Sequence, residues 1–487
     1  MDDNSLPFNI PSSWKWARIE DLGHDLGQKK PDKTFTYVDV GSINKELGYI
    51  DEPSILEHSE APSRARKLVQ KNTVIYSTVR PYLLNIAVID RDFNPEPIAS
   101  TAFAIIHPLS GISSSYIYRY LRSPSFIEYV ESVQTGIAYP AINDKQFFFG
   151  LIPVPPSAEQ HRIVAKVDEL MTLCDQLEQQ TEASIEAHQV LVTTLLDTLT
   201  NSADANELMQ NWTRISEHFD TLFTTEESID QLKQTILQLA VMGKLVPQDP
   251  SDEPAAELLK RIAEEKAQLV KEKKIKKQKA LPPISEDEKP FELPSGWVWC
   301  RLQDITSKIT DGDHKTPPRI ETGYTLLSAK NVRDGFIDFS TTDFISEEDY
   351  MKSRERCLPE HNDLLIVSVG GTIGRSSLVP KKSDFAMVRS VALIKPLKFN
   401  SEYLKHAMDS KLLQDSIHNN KRGGAQPCLY LSEISKFPFT MPPLEEQNRI
   451  VLKINQLLAI CESLKLQIQE SQVTQFHLTD AIVEQAV

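Results

Sequence analysis

The residues best suited to chemistry in this chain are polar and basic side chains in loops. In the first half they are Arg64, Arg66, Lys67, Arg80, Tyr82, Gln134 and Thr135. In the second half they are His314, Lys315, Thr316, Lys330, Asn331, Arg375, Arg389, Lys421, Arg422 and Gln426. Arg and Lys suit the acceptor edge of guanine and Asn and Gln suit adenine, so such a set could read base edges. Catalytic patterns are missing. Gly370-Gly371-Thr372-Ile373-Gly374-Arg375 lacks the lysine and following hydroxyl of a phosphate-cradling loop and reads as a turn at a strand end. The eleven histidines show no metal-ligand spacing. His188 falls on a helical seam, as a hydrogen-bonded core histidine would. No metal site and no catalytic residue is expected.

The elements that carry these loops occur twice. Gly136, Pro140, Pro155, Pro156, Glu159, Gln160, Arg162, Ile163, Val164 and Cys174 recur at a constant shift of 287 residues as Gly423, Pro427, Pro442, Pro443, Glu446, Gln447, Arg449, Ile450, Val451 and Cys461. Upstream, Pro11, Trp14, Trp16 and Arg18 match Pro294, Trp297, Trp299 and Arg301 with a four-residue slip. The period far exceeds the roughly 20 to 50 residues of solenoid units, so a whole domain with its connecting helix is duplicated. Such a chain has pseudo-two-fold symmetry, which matches duplex DNA. The alternating tryptophans at each domain entry read as strand packing rather than base-stacking platforms.

Short β-branched runs broken by turns, such as 34–40, 73–77, 101–106, 364–368 and 391–394, predict strands. Helical stretches lie between them at 115–121 and 401–408. Each copy is expected to be a mixed α/β domain that exits through Pro-Pro into a helix of about 44 residues, roughly 65 Å long. Ile450, Ile454, Leu457, Cys461 and Leu464 form a heptad seam, and Ile163, Val167, Leu170, Cys174 and Leu177 follow the same register. The seams turn polar near Thr181, Ser184 and His188, and near Ser471 and Gln475. The simplest expectation is that the two helices pair as an antiparallel coiled coil. The expected boundaries are 1–150, a first recognition domain; 151–200, a spacer helix; 201–290, a central helical region and linker; 291–438, a second recognition domain; and 439–487, a second spacer helix.

Residues 232–241 echo the ends of both long helices, and that helix should stop at Gly243 in a left-handed cap. Another helix should begin near Glu253 and end in the lysine-rich run 271–279, read as a solvated helix end. Five cysteines without a C-x-x-C pair, no membrane-length apolar run and no leader pattern at Met1 suggest a reducing cytoplasm. The net charge of −15 leans against nucleic acid unless basic residues gather on one face or partners supply them.

The Pro-x-x-Trp-x-Trp-x-Arg start of each domain (Pro11 to Arg18, Pro294 to Arg301) and the Pro-Pro-x-x-Glu-Gln-x-Arg-Ile-Val start of each helix resemble the specificity subunit of type I restriction–modification systems. Leu232 to Val246, with the Pro247-Gln248-Asp249-Pro250 turn and Leu258 to Ile262, looks like that family's central conserved region. The resemblance covers nearly the whole chain. It implies two target-recognition domains, each reading half of a bipartite site in double-stranded DNA. It also implies two modification and two restriction subunits as partners. Those partners would use S-adenosylmethionine, ATP and Mg2+, with no cofactor in this chain. A free-standing DNA-binding regulator on the same scaffold is the alternative. A fused restriction–methylation enzyme is excluded by the missing motifs.

Overall fold

The computed structural model describes residues 6–136, 139–203, 205–424 and 427–486. The chain divides into two compact units, Met1–Ala183 and Ser184–Val487, and the boundary falls inside the helix Ser157–Thr200. Each unit contains one copy of the repeated domain.

In the first unit, Lys15–Arg18 pairs antiparallel with Leu151–Val154 and closes the domain at its base. Between these strands lie two four-stranded sheets. One orders Ser54–Leu56, Phe35–Val38, Pro97–Ser100 and Ala65–Leu68; the other orders Gly23–His24, Phe103–Pro108, Val74–Ser77 and Ile86–Val88. Strands 35–38 and 74–77 are buried at every residue, so their runs are continuous rather than alternating. The second unit repeats the plan. Val298–Arg301 pairs with Pro438–Met441 at the base, enclosing a four-stranded and a three-stranded sheet. Each copy contains one parallel strand pair, 97–99 with 36–38 and 326–327 with 386–387. Trp16 and Trp299 belong to the base strands, and Trp14 and Trp297 immediately precede them. Trp16 lies opposite Pro153 and packs edge-on to Phe8, and Trp299 lies opposite Thr440 beside Phe291.

The same side chains join each domain to its long helix. The Gln160 Oε1 accepts from Ser113 N (2.8 Å) and its Nε2 donates to Pro155 O (3.0 Å). Gln447 repeats this with Asn400 N (3.0 Å) and Pro442 O (3.0 Å). Tyr116 and Tyr403 donate to Pro153 O and Thr440 O at the base strand. Both glutamines are essentially inaccessible. Gln447→Ala should therefore strand a buried N–H and open a void, costing about 2 to 3 kcal/mol in urea unfolding. The matching Gln160→Ala should cost a similar amount, and a loss below roughly 0.5 kcal/mol would show that these contacts do not hold the domains.

The helices Ser157–Thr200 and Leu444–Ala486 span the expected lengths. The central helix Glu226–Val241 ends, as expected, just before Gly243 at φ 70°. It packs antiparallel to the second long helix. Lys233 pairs with Glu462, Lys465 with Asp230 (3.2 Å), and Gln469 donates to Glu226 (2.9 Å). Ile229, Leu232, Ile236 and Leu239 bury against Ile450, Ile454 and Cys461 in one core. The end of the first long helix runs parallel to the central helix, through Gln189 to Glu227 (2.7 Å) and Thr193 to Gln231 (3.4 Å). His188 hydrogen-bonds Thr221 O (3.2 Å), in keeping with a structural histidine. Earlier in that helix, the seam residues Leu170, Cys174 and Leu177 are exposed. Within the second unit, the apolar stripe of the central helix provides the antiparallel partner for Ile450, Ile454 and Cys461.

Candidate nucleic-acid interface

Five hydrogen-bonded segments of the second domain line up side by side. Arg389 N donates to Asp313 O (3.0 Å), and Ala329 N to Ser390 Oγ (3.1 Å). Ser368 N donates to Ser390 O (2.9 Å), Leu429 N to Ser368 O (2.8 Å) and Gly370 N to Pro427 O (3.0 Å). Arg422 and Cys428 bridge one another across the last turn. This ladder brings the loops at 311–316, 328–331, 368–375, 388–390 and 421–428 into one rim. Nine of the ten candidates of the second copy lie on these loops within the described residues. Gln426 lies outside the described residues.

The first domain has the same rim. Thr101 N donates to Arg64 O (2.8 Å), Thr78 N to Ala102 O (2.9 Å), Ile142 N to Thr78 O (2.9 Å) and Arg80 N to Pro140 O (2.8 Å). Thr135 and Ala141 form the bridge that Arg422 and Cys428 form in the other copy. Both turns require a glycine at the matched place, Gly136 at φ 95° and Gly423 at φ 101°. A Cβ on Gly136 would sit 2.8 Å from Tyr139 O. Arg80 and Gly370 occupy equivalent places, and both have positive φ.

Side chains on the two rims differ. On the first, Arg64, Arg80, Tyr82 and Thr135 are exposed, and Gln134 is half-buried beside them. The Arg80 guanidinium lies 4.9 Å from the Tyr139 ring centroid. Stacking on the ring face leaves its N–H groups free to point outward. Tyr139, 69% exposed, was not singled out from sequence; its signal was an aromatic in the Gly-to-Pro turn. On the second rim, several basic groups are held by carboxylates: His314 by Asp311 (3.0 Å), Lys330 by Asp343 (3.2 Å), Arg375 by Asp334 (3.5 Å) and Arg422 by Glu433 (3.7 Å). Arg389, Lys315 and Lys421 are exposed and have no ion pair among the described residues.

Two candidates are not available to a ligand. Lys67 is 4% exposed; its ammonium donates to Phe103 O (2.7 Å) and pairs with Asp144 (2.9 Å). Asn331 is fully buried; its Oδ1 accepts from Ser328 N (3.0 Å) and its Nδ2 donates to Asp338 O (3.0 Å). Both are structural, because a buried polar group must find partners inside the fold. Arg66, half-buried, turns back to Ala65 O (2.7 Å).

Behind the rims the copies exchange one charge pattern. Arg119 forms an ion pair with Asp168 in the first, and the matched His406 and Asn455 form a hydrogen bond (3.2 Å) in the second. Burial, helped by the Lys405 ammonium, pushes the His406 imidazole down to about 4. The unfolded chain, with a histidine near 6.5, then binds more protons between those values. Stability from this site is full above pH 6.5 and falls as pH drops toward 4. The loss should reach on the order of 2 kcal/mol at pH 5. His406→Gln should flatten the pH dependence of urea unfolding over that window, and an unchanged slope would rule the effect out.

Among the described residues, no group of three histidine, cysteine or acidic side chains could hold a metal ion. None of the described helices is long and apolar enough to cross a membrane.

Comparison with known proteins adds three findings. A sequence model of the type I restriction modification DNA specificity domain matches residues 11–187 and again 295–471. The type I restriction enzyme EcoAI specificity subunit of Escherichia coli is 38% identical over all of this chain and 84% of its own length, and the EcoEI specificity subunit of the same organism is 35% identical over the same shares. A solved chain from a structure described as showing complex assembly and conformational transition of the type I R-M system covers 99% of both chains, with a TM-score of 0.56 and 22% identity. That last likeness concerns the fold.

Proposed function

The chain belongs to the type I restriction–modification DNA specificity family, and from that premise we propose that its two rims are the surfaces that read DNA. The chain is the sequence-recognition subunit of a type I restriction–modification complex and binds a bipartite target, one half for each domain. The carrying observation is that both rims rest on one hydrogen-bonded frame while their exposed side chains differ. A shared frame docks in the same way twice, and different side chains read different bases. The recognition domains occupy 1–150 and 291–438 and the helical spacers the remainder. Similarity to specificity subunits along the whole chain leaves the free-standing regulator without support.

Catalysis belongs to partners. Modification subunits take S-adenosylmethionine, restriction subunits take ATP and Mg2+, two of each assemble with this chain, and the complex works in the cytoplasm. The basic residues paired with carboxylates suit this division. Phosphates can replace Asp311, Asp343 and Glu433 as acceptors, while a chain of −15 charge keeps indiscriminate DNA binding low without its partners. The test is a pair of single substitutions in the assembled modification complex. Arg80→Ala should weaken recognition of one half-site by roughly 10- to 100-fold, and Arg389→Ala should do so for the other, as a lost base contact would. Equal weakening on all sequences would make both residues phosphate contacts, and no effect from either would remove the rims from the interface.

A further inference from the structure

In each recognition domain, the buried strand that runs up to the rim ends in the same turn. Arg80 N donates to Pro140 O (2.8 Å) in the first copy, and Gly370 N to Pro427 O (3.0 Å) in the second. Ser77 N donates to Asn85 O (2.9 Å) and Val367 N to Arg375 O (2.9 Å), so both turns close over the same span. Two places in this turn are left-handed. In the second copy glycines fill them, Gly370 at φ 104° and Gly374 at φ 99°. In the first they are Arg80 and Leu84, both at φ 50°, a backbone conformation that disfavours any residue with a side chain. Pro81 is buried and Leu84 packs on the domain core, so the turn is anchored from within.

The two turns show solvent opposite faces. In the second copy, Gly371 and Thr372 offer little apolar surface, and Ile373 packs against the core. At the matching places in the first copy, Tyr82 and Leu83 are 53% and 40% exposed, and Val79 is 41% exposed just before them. An anchored turn that holds three neighbouring apolar side chains in water marks a binding surface. Its setting is the rim, because Arg80 belongs to the same turn and Tyr139 lies against the Arg80 guanidinium.

On intact duplex DNA the base edges in the major groove offer one apolar group, the C5-methyl of thymine. We propose that Val79, Tyr82 and Leu83 are specificity-determining residues that receive a thymine methyl in the half-site read by the first domain. The inference rests on the rims being the surfaces that read DNA, and it adds what this turn reads. Methyl recognition uses apolar contact alone, which is why the turn spends its exposed positions on apolar side chains and leaves hydrogen bonding to Arg80. The second copy, with Gly371 and Thr372 at the matching places, makes no such demand on its own half-site.

The test uses the full chain assembled with its modification subunits and duplexes that carry its target. Each thymine of the first half-site, on either strand, is replaced in turn by deoxyuridine, which removes the methyl and keeps every hydrogen-bonding group. At one of them binding should weaken about fourfold, as the loss of one buried methyl would cause. Replacement by 5-bromodeoxyuridine, which restores an atom of methyl size, should recover it. In the Tyr82→Ser complex, thymine and deoxyuridine at that place should bind equally, while deoxyuridine in the second half-site acts as it does on the unchanged complex. Tyr82 is exposed, so the urea unfolding curve of the variant should not move. The proposal is overturned if the first half-site holds no methyl-sensitive thymine, or if the sensitivity survives Tyr82→Ser. Loss of subunit assembly in that variant would make the turn a protein contact and overturn it too. So would a Tyr82-dependent rise in 2-aminopurine fluorescence without a response to deoxyuridine, because the turn would then be a wedge between bases. If it fails while Arg80→Ala still weakens the first half-site, the rims remain the reading surfaces; if both substitutions are silent, that reading falls as well.

Discussion

Inserting four residues beside Gln180 in the first long helix should widen the gap between the two halves of the DNA target by about two base pairs and leave both halves unchanged. Four residues add about 6 Å of helix and slightly more than one turn. Along B-DNA, 6 Å is about two base pairs. The site is chosen from the structure. Residues 175–183 are exposed throughout, and the Thr181 hydroxyl donates back to Leu177 O within the helix. The insertion therefore breaks no core and leaves the Gln160 junction at one end and the packing of Val192, Leu196 and Leu199 at the other as they are. Mapping modified bases in cells that carry the complex reads the result. A changed half-site, or a gap of unchanged length, would mean that the helix is not the ruler.

The second large effect is an exchange of recognition. The base strands Val298–Arg301 and Pro438–Met441 pair residue for residue, from Val298 with Met441 to Arg301 with Pro438. The segment between them meets the long helix through Asn400, whose N–H donates to Gln447, and the base strand through Tyr403, so a replacement segment must keep an equivalent backbone N–H and tyrosine there. Substituting residues 306–434 by the matching segment of a relative should replace one half of the target completely and leave the other intact. If both halves changed, or neither did, recognition would not be divided between the copies. Arg301 must remain in such an exchange, because its guanidinium is buried against Glu288 (2.6 Å) and Lys436 O (2.7 Å).

Much of this architecture was legible in the sequence, and the reason is the repeat. Gln160 with Gln447 and Gly136 with Gly423 recur because the same backbone groups need the same partner or the same positive φ in each copy. The antiparallel pairing of the central helix was not legible. A 3.6-residue stripe shows that a helix buries one face and is silent about which face meets it, and three helices here carry compatible stripes. The rim candidates were visible only as scattered loops, since the ladder that unites them joins residues tens of positions apart. Lys67 and Asn331 could not be set aside from sequence for the same reason. The acceptors of Lys67 are Phe103 and Asp144, and Asn331 is enclosed by loop backbone. Tyr139 was passed over because an exposed aromatic in a turn becomes informative only once Arg80 is seen beside it.

The central claim is that one chain carries two separate readers of DNA. Sequencing the modified bases in cells that express this chain with its modification subunits tests it most directly. The account predicts a single bipartite motif, two specified halves separated by a fixed run of unspecified bases, that disappears when this chain is omitted. A continuous motif, or modification that persists at the same sequence without this chain, would contradict it.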